Sequence, residues 1–155
     1  MLKDLRVKKG LTQRACAQLL GVSERTYIRY ETDKSKQGSL KYRYMVKELE
    51  EYGLIDESHG ILSIDTIKDA CRKVFVNYQV EYCYLFGSYA KGKATETSDV
   101  DLLVSTTATG LKFYEMIEEL REKLLKKVDV LHQSQLNNNT KLVNEILLDG
   151  IKIYG

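Results

Sequence analysis

The sequence predicts two domains of different class, a small all-α bundle followed by an α+β or α/β domain in which helices pack on a small sheet. Three observations carry this. Residues 1–52 show only helix-period apolar patterns, punctuated by Ser and Thr at helix starts and by glycines at helix ends. From residue 63 onward, amphipathic stretches alternate with short apolar runs, VEYCYLF, VDLLV, VDVL and IKIY. Between them lies GLIDESHGILS, with neither period and a mixed charge. The domains are therefore set at 1–53 and 63–155, joined by a linker at 54–62.

In the first domain, residues 1–9 read as a helix with Leu2, Leu5 and Val7 inward and Lys3, Arg6, Lys8 and Lys9 outward, ended by Gly10. Thr12 caps a second helix, Gln13 to Leu20, with Cys16, Ala17 and Leu20 inside. Gly21 turns the chain, Val22 plugs the corner, and Ser23 caps a third helix running to Thr32. A fourth spans Ser39 to Tyr52, with Leu40, Tyr44, Met45 or Val46, and Leu49 as inner residues, and Tyr42 and Tyr44 closing the small core.

In the second domain, Ile64 to Asn77 is amphipathic through Ile67, Ala70, Cys71, Val74 and Phe75. Strands follow at Val80–Phe86 and Val100–Val104, then a helix over 110–125 with Phe113, Met116, Ile117, Leu120 and Leu124 inward. A third strand surrounds Asp129, a helix covers 139–148, and Ile151–Tyr154 is the last strand.

Composition narrows the function. With 155 residues and 43% apolar content the chain can build real cores, and no apolar run approaches a membrane span or a signal peptide. A cytoplasmic location is expected, with no membrane partner. Cys16, Cys71 and Cys83 fall within apolar patterns and read as reduced, buried thiols, and His59 and His132 give no zinc pattern. Charge is uneven. Residues 1–47 hold twelve Lys or Arg against four Asp or Glu, whereas residues 53–155 hold twelve against fifteen. The basic front suits a polyanion.

The chemistry concentrates where the first strand meets the second. Gly87-Ser88 follows the first strand, ten residues intervene, and Asp99-Val100-Asp101 opens the next. Side chains alternate along a strand, so Asp99 and Asp101 share a face, where hard oxygen donors suit Mg²⁺ or Mn²⁺. Gly87 lets backbone approach a phosphate, and Ser88 adds a hydroxyl and an amide. Asp101 and Asp129 sit inside apolar strands, and burial without a function would cost several kcal/mol each.

The run GSYAKGKATETSDVD resembles the signature of the polymerase-β-like nucleotidyltransferases, in particular the minimal nucleotidyltransferases, over residues 63–155. That resemblance implies a small mixed sheet packed by helices. Asp99, Asp101 and Asp129 would be catalytic and would bind two Mg²⁺ ions, with ATP as substrate. Gly87, Ser88, Tyr89 and Lys91 would hold the nucleotide, through backbone amides and the Ser88 hydroxyl, with Lys91 neutralising phosphate.

The segment LTQRACAQLLGVSERTYIRYET resembles the Cro/repressor-like, or XRE, helix-turn-helix family. It departs from that family in Tyr27 and Tyr30, at usually aliphatic positions, and in Asp33, where glycine is usual. The resemblance implies DNA contacts by Gln13, Ser23, Glu24, Arg25, Thr26 and Arg29, the third helix entering the major groove.

Minimal nucleotidyltransferases are often antitoxins that transfer AMP to a tyrosine of a HEPN-type ribonuclease toxin. By resemblance the expected function is such an antitoxin, repressing its own operon by binding operator DNA, as a homodimer or hetero-oligomer. Two other readings stay open. One is a transcriptional regulator with a nucleotide-sensing or dimerising domain; the other is a nucleotidyltransferase for an aminoglycoside-like small molecule.

Overall fold

Three of the first four helix starts are held by the hydroxyl that the sequence offers for them. The computed structural model describes residues 1–155, which divide into two units, Met1–Leu54 and Ile55–Gly155. The first contains α1 (Leu2–Lys8), α2 (Gln13–Leu19), α3 (Glu24–Thr32) and α4 (Leu40–Glu51). The Thr12, Ser23 and Ser39 side chains accept from the amides of Ala15, Thr26 and Tyr42, each such cap stabilising its helix by about 1 kcal/mol. Gly21 makes the turn between α2 and α3 in the left-handed region, at φ 64°.

The core of this unit is Leu2, Cys16, Ala17, Leu20, Tyr27, Tyr42, Met45, Val46 and Leu49. Four details differ from expectation. Tyr42, Met45, Val46 and Leu49 fall on one stripe of α4, which leaves Leu40 and Tyr44 facing solvent rather than the core. Val7 is also exposed. Arg6, expected outside, instead turns inward to form a two-pronged pair with Glu31: its Nε donates to Oε2 and its Nη2 to Oε1, each at 3.0 Å.

The second unit contains α5 (Ile64–Phe75), β1 (Val80–Phe86), α6 (Gly87–Ala90), β2 (Val100–Thr106), α7 (Leu111–Leu124), β3 (Val128–His132), α8 (Thr140–Asp149) and β4 (Ile151–Tyr154). The sheet order is β3-β2-β1-β4, with β2 parallel to β3 and the other two pairs antiparallel. This is a small mixed sheet, as expected from the sequence. Alternation divides its faces. Cys83, Leu85, Val100, Leu102, Val104 and Val128 join the apolar residues of α5 and α7 in the main core. Tyr82, Tyr84, Phe86, Asp101, Leu103 and Asp129 occupy the opposite face by register.

Residues 55–62, read from sequence as linker, count with the second unit. Leu62 is buried and Ile55 packs on the same core. No helix is long and apolar enough to cross a membrane.

Candidate active site and the helix-turn-helix surface

β1 ends at Phe86, which lies opposite Asp101 in the antiparallel pairing, so Gly87 is delivered beside the Asp101 side chain. Gly87 adopts φ 71°, and a Cβ built there would overlap Asp101 Oδ2 and crowd Cγ. Only glycine satisfies both demands. On the other side of β2, Asp101 is in direct parallel register with Asp129 of β3, which brings the two carboxylates to one face. Asp99 lies two residues earlier, just before the strand, and is half-buried.

The neighbouring carboxylates act on Asp101. Burial pushes the Asp101 carboxyl up to about 6, and the negative charges of Asp129, Asp99 and Glu145 push the same way. No positive charge is among these influences. The set contains only oxygen donors, which suits a hard dication rather than zinc or copper. No three His, Cys, Asp or Glu side chains converge into a ready metal cage.

One expectation needs correction. Asp129 is exposed, because β3 is the edge strand of the sheet, so the argument that its burial would be costly does not hold. Its claim to the site rests on its register with Asp101 and on its effect on that group.

At the start of α6 the first amides have no intrahelical acceptor, which leaves the backbone of Gly87, Ser88 and Tyr89 able to donate. The Tyr89 ring itself is buried, and its hydroxyl accepts the Leu62 amide at 3.4 Å, so Tyr89 can contribute backbone only. Lys91, expected to face phosphate, donates to Glu145 Oε1 at 2.9 Å.

Two residues were missed from sequence. Glu145 pairs with Lys91 at 2.9 Å, and its negative charge adds to those that raise the Asp101 carboxyl. Lys126 is buried, and its Nζ donates to the carbonyls of His59 at 3.0 Å and Glu96 at 2.5 Å. It thereby ties down the loop that leads into Asp99. A lysine beside the apolar strand β3 was the only signal for it.

On the first unit, Glu24, Arg25 and Arg29 of α3 are exposed. Ser23 is held in place by capping and donates to Thr26 Oγ1 at 2.8 Å. Gln13 donates to Glu31 Oε1 at 3.4 Å, so its amide braces the Arg6–Glu31 pair. The Arg29 guanidinium and Lys41 ammonium lie over the Tyr30 ring, at 5.8 and 5.6 Å from its centre.

A Gly-Ser turn at the end of a strand, facing an Asp-x-Asp strand on a mixed sheet, defines the nucleotidyltransferase class. The family model described as polymerase beta, nucleotidyltransferase matches residues 69–155, more than half of the chain, and the chain belongs to that family. A helix-turn-helix model matches residues 2–38.

Two similar proteins of Methanocaldococcus jannaschii carry the name of candidate protein adenylyltransferases. One is 36% identical over 48% of this chain and 93% of its own length, the other 38% identical over 49% and 84%. Solved structures with partial likeness include a toxin–antitoxin with AMP-PNP (24% identity, TM-score 0.48, 57% of this chain and 73% of that one). Another is an AMPylated Shewanella oneidensis HEPN toxin with its MNT antitoxin (21% identity, TM-score 0.44, 59% and 72%).

Proposed function

We propose that this nucleotidyltransferase moves AMP from ATP to a tyrosine hydroxyl of a partner protein. The observation that carries the reading is the meeting of Asp101 with Asp129 in register and with Gly87 across the strand end. Relatives named as protein adenylyltransferases support AMP as the group and protein as the acceptor.

Asp99 and Asp101 would hold Mg²⁺, with Asp129 completing the set for a second ion. When bound, the ions polarise the α-phosphate and stabilise charge on departing pyrophosphate. The chain's own residues do the rest. The amides of Gly87 to Tyr89 and the Ser88 hydroxyl grip the β- and γ-phosphates, and Lys91 exchanges its pairing with Glu145 for the phosphate charge. The tyrosine oxygen attacks the α-phosphorus, the bond to the β-phosphate oxygen breaks, and pyrophosphate leaves. Asp129 takes the phenolic proton.

The partner class we propose, a HEPN-type ribonuclease toxin, follows the family resemblance of residues 63–155. The first unit would bind operator DNA through Arg25, Thr26, Glu24 and Arg29 of α3, with Ser23 and Gln13 at the helix starts, and so repress its own operon. The exposed charged face of α3 supports this.

The test is incubation of the chain with the protein encoded beside its gene, α-labelled ATP and Mg²⁺, followed by mass spectrometry. AMP on a partner tyrosine is expected. Label on neither protein overturns the transfer reading.

A further inference from the structure

β4 is an edge strand: it pairs with β1 alone, at the opposite side of the sheet from β3. The outward row of its amides and carbonyls has no strand beside it, and no turn or loop backbone bonds to it. Such a row is a template for another main chain.

Beside this edge runs α5, fixed there by Phe75, whose ring meets Tyr154 edge-on with centres 5.2 Å apart and planes at 77°. A groove of about 510 Å³ lies between them. Its apolar lining is Val76, Ile153 and Tyr154, and its charged lining is Lys68 and Arg72 of α5 with Lys152 of β4. No acidic side chain lines it. Arg72 has Asp69 at 3.7 Å on the same helix, but these side chains are 69% and 66% exposed, so the pair neutralises little. Neither Lys68 nor Lys152 is in an ion pair.

We propose that this groove takes an extended, acidic segment of a partner protein as a fifth strand of the sheet, with its carboxylates against Lys68, Arg72 and Lys152. Main-chain bonds along the edge supply affinity, and side chains at alternate positions supply selectivity. β4 has four residues and spans about 13 Å, so a segment of about five residues fills it. Every second residue of that segment faces α5, where acidic side chains meet the cations.

A second copy of this chain is a poor occupant. Pairing β4 with β4 about a twofold axis brings Lys68, Arg72 and Lys152 of one copy against the same three of the other, and lysine on an edge strand opposes that pairing. Nucleic acid also fits less well. Phosphate oxygens only accept hydrogen bonds, whereas the open edge offers carbonyls as well as amides, a pattern that another polypeptide completes. The added strand lies across β1 from β2 and at the far edge from β3, so the proposal stands whether or not Asp99, Asp101 and Asp129 transfer AMP.

The experiment measures binding of fluorescein-labelled hexapeptides to the full chain by fluorescence anisotropy at low salt. An alternating Glu-Thr peptide should bind at least about tenfold more tightly than its Lys-Thr counterpart, and should slow hydrogen exchange at residues 151–154. Successive amides of a strand point to opposite edges, so methylating the Glu nitrogens and methylating the Thr nitrogens give two peptides of equal charge. One of them should lose at least about tenfold and the other bind as the parent does. Lys68→Glu combined with Arg72→Glu, at two positions outside the core, should reverse the preference and favour the Lys-Thr peptide.

Equal binding of the Glu-Thr and Lys-Thr peptides overturns the proposal, as does an equal effect of the two methylations, which would leave charge attraction without strand pairing. Binding of neither peptide at about 1 mM overturns it as well. So do two further outcomes: a single-stranded oligonucleotide that the wild type binds and the double variant does not, with no peptide bound, and a dimer in sedimentation that shields residues 151–154 without peptide. The first assigns the groove to nucleic acid and the second to another copy of the chain.

Discussion

At Gly87 the missing side chain is as much part of the site as the carboxylate it faces. Gly87→Ala would push a methyl group into Asp101 and force alanine into the left-handed region, so transfer should fall by at least about a hundredfold with the fold retained. Asp101 makes a second, opposite prediction. Its carboxyl is raised to about 6 from 3.8, so the folded state holds this proton longer than the unfolded chain does. Stability from this group is full at acid pH and is lost as pH rises through about 6. Asp101→Asn should therefore end transfer yet stabilise the metal-free protein at pH 7.5 by roughly 1 kcal/mol once partial exposure is allowed for, read as a higher melting temperature. A melting curve unchanged by the substitution would contradict the crowding of charge at Asp101. Glu31 behaves in the reverse sense. Burial pushes its carboxyl up, but the hydrogen bonds and charge of Arg6, aided by Gln13, hold it below its ordinary value. Its contribution is present near neutrality and lost as pH falls below the usual carboxylate range.

Among the elements, the loop between α6 and β2 decides how well Asp99 is placed. Lys126 holds that loop through the Glu96 carbonyl and the segment before α5 through the His59 carbonyl. Lys126→Met keeps most of the buried volume but strands both carbonyls, and should destabilise the second unit by about 2–4 kcal/mol. Hydrogen exchange should show the effect concentrated at residues 56–62 and 93–99. Uniform loosening of the sheet would contradict this role. The same elements show what was legible in sequence. The Gly-Ser turn and the Asp-x-Asp strand were visible because their spacing and apolar flanks are local. The α4 stripe was misjudged because Leu40 and Tyr44 are as apolar as their buried neighbours, and only packing selects the face. Lys126, Glu145 and the Arg6–Glu31 pair were hidden because their partners lie 67, 54 and 25 residues away, and tertiary register, not pattern, brings them together. Asp129 was found for a partly mistaken reason. An apolar strand implied burial, but a sheet edge exposes it.

Over the whole chain, basic charge gathers in the first unit and the Asp99, Asp101 and Asp129 carboxylates lie in the second. The basic first unit should bind its own promoter with strong salt dependence, and Arg29→Ala should weaken that binding without altering transfer, a separation that mobility shift and label transfer can read in one preparation. The second unit carries the central claim, that Asp99, Asp101 and Asp129 act as one centre although only Asp101 is half-buried within a strand. The most direct measurement is the rate of AMP transfer from α-labelled ATP for Asp129→Asn beside the wild type. A fall of at least about a hundredfold, matching Asp101→Asn, is the result this account predicts. Transfer by Asp129→Asn at the wild-type rate would contradict it.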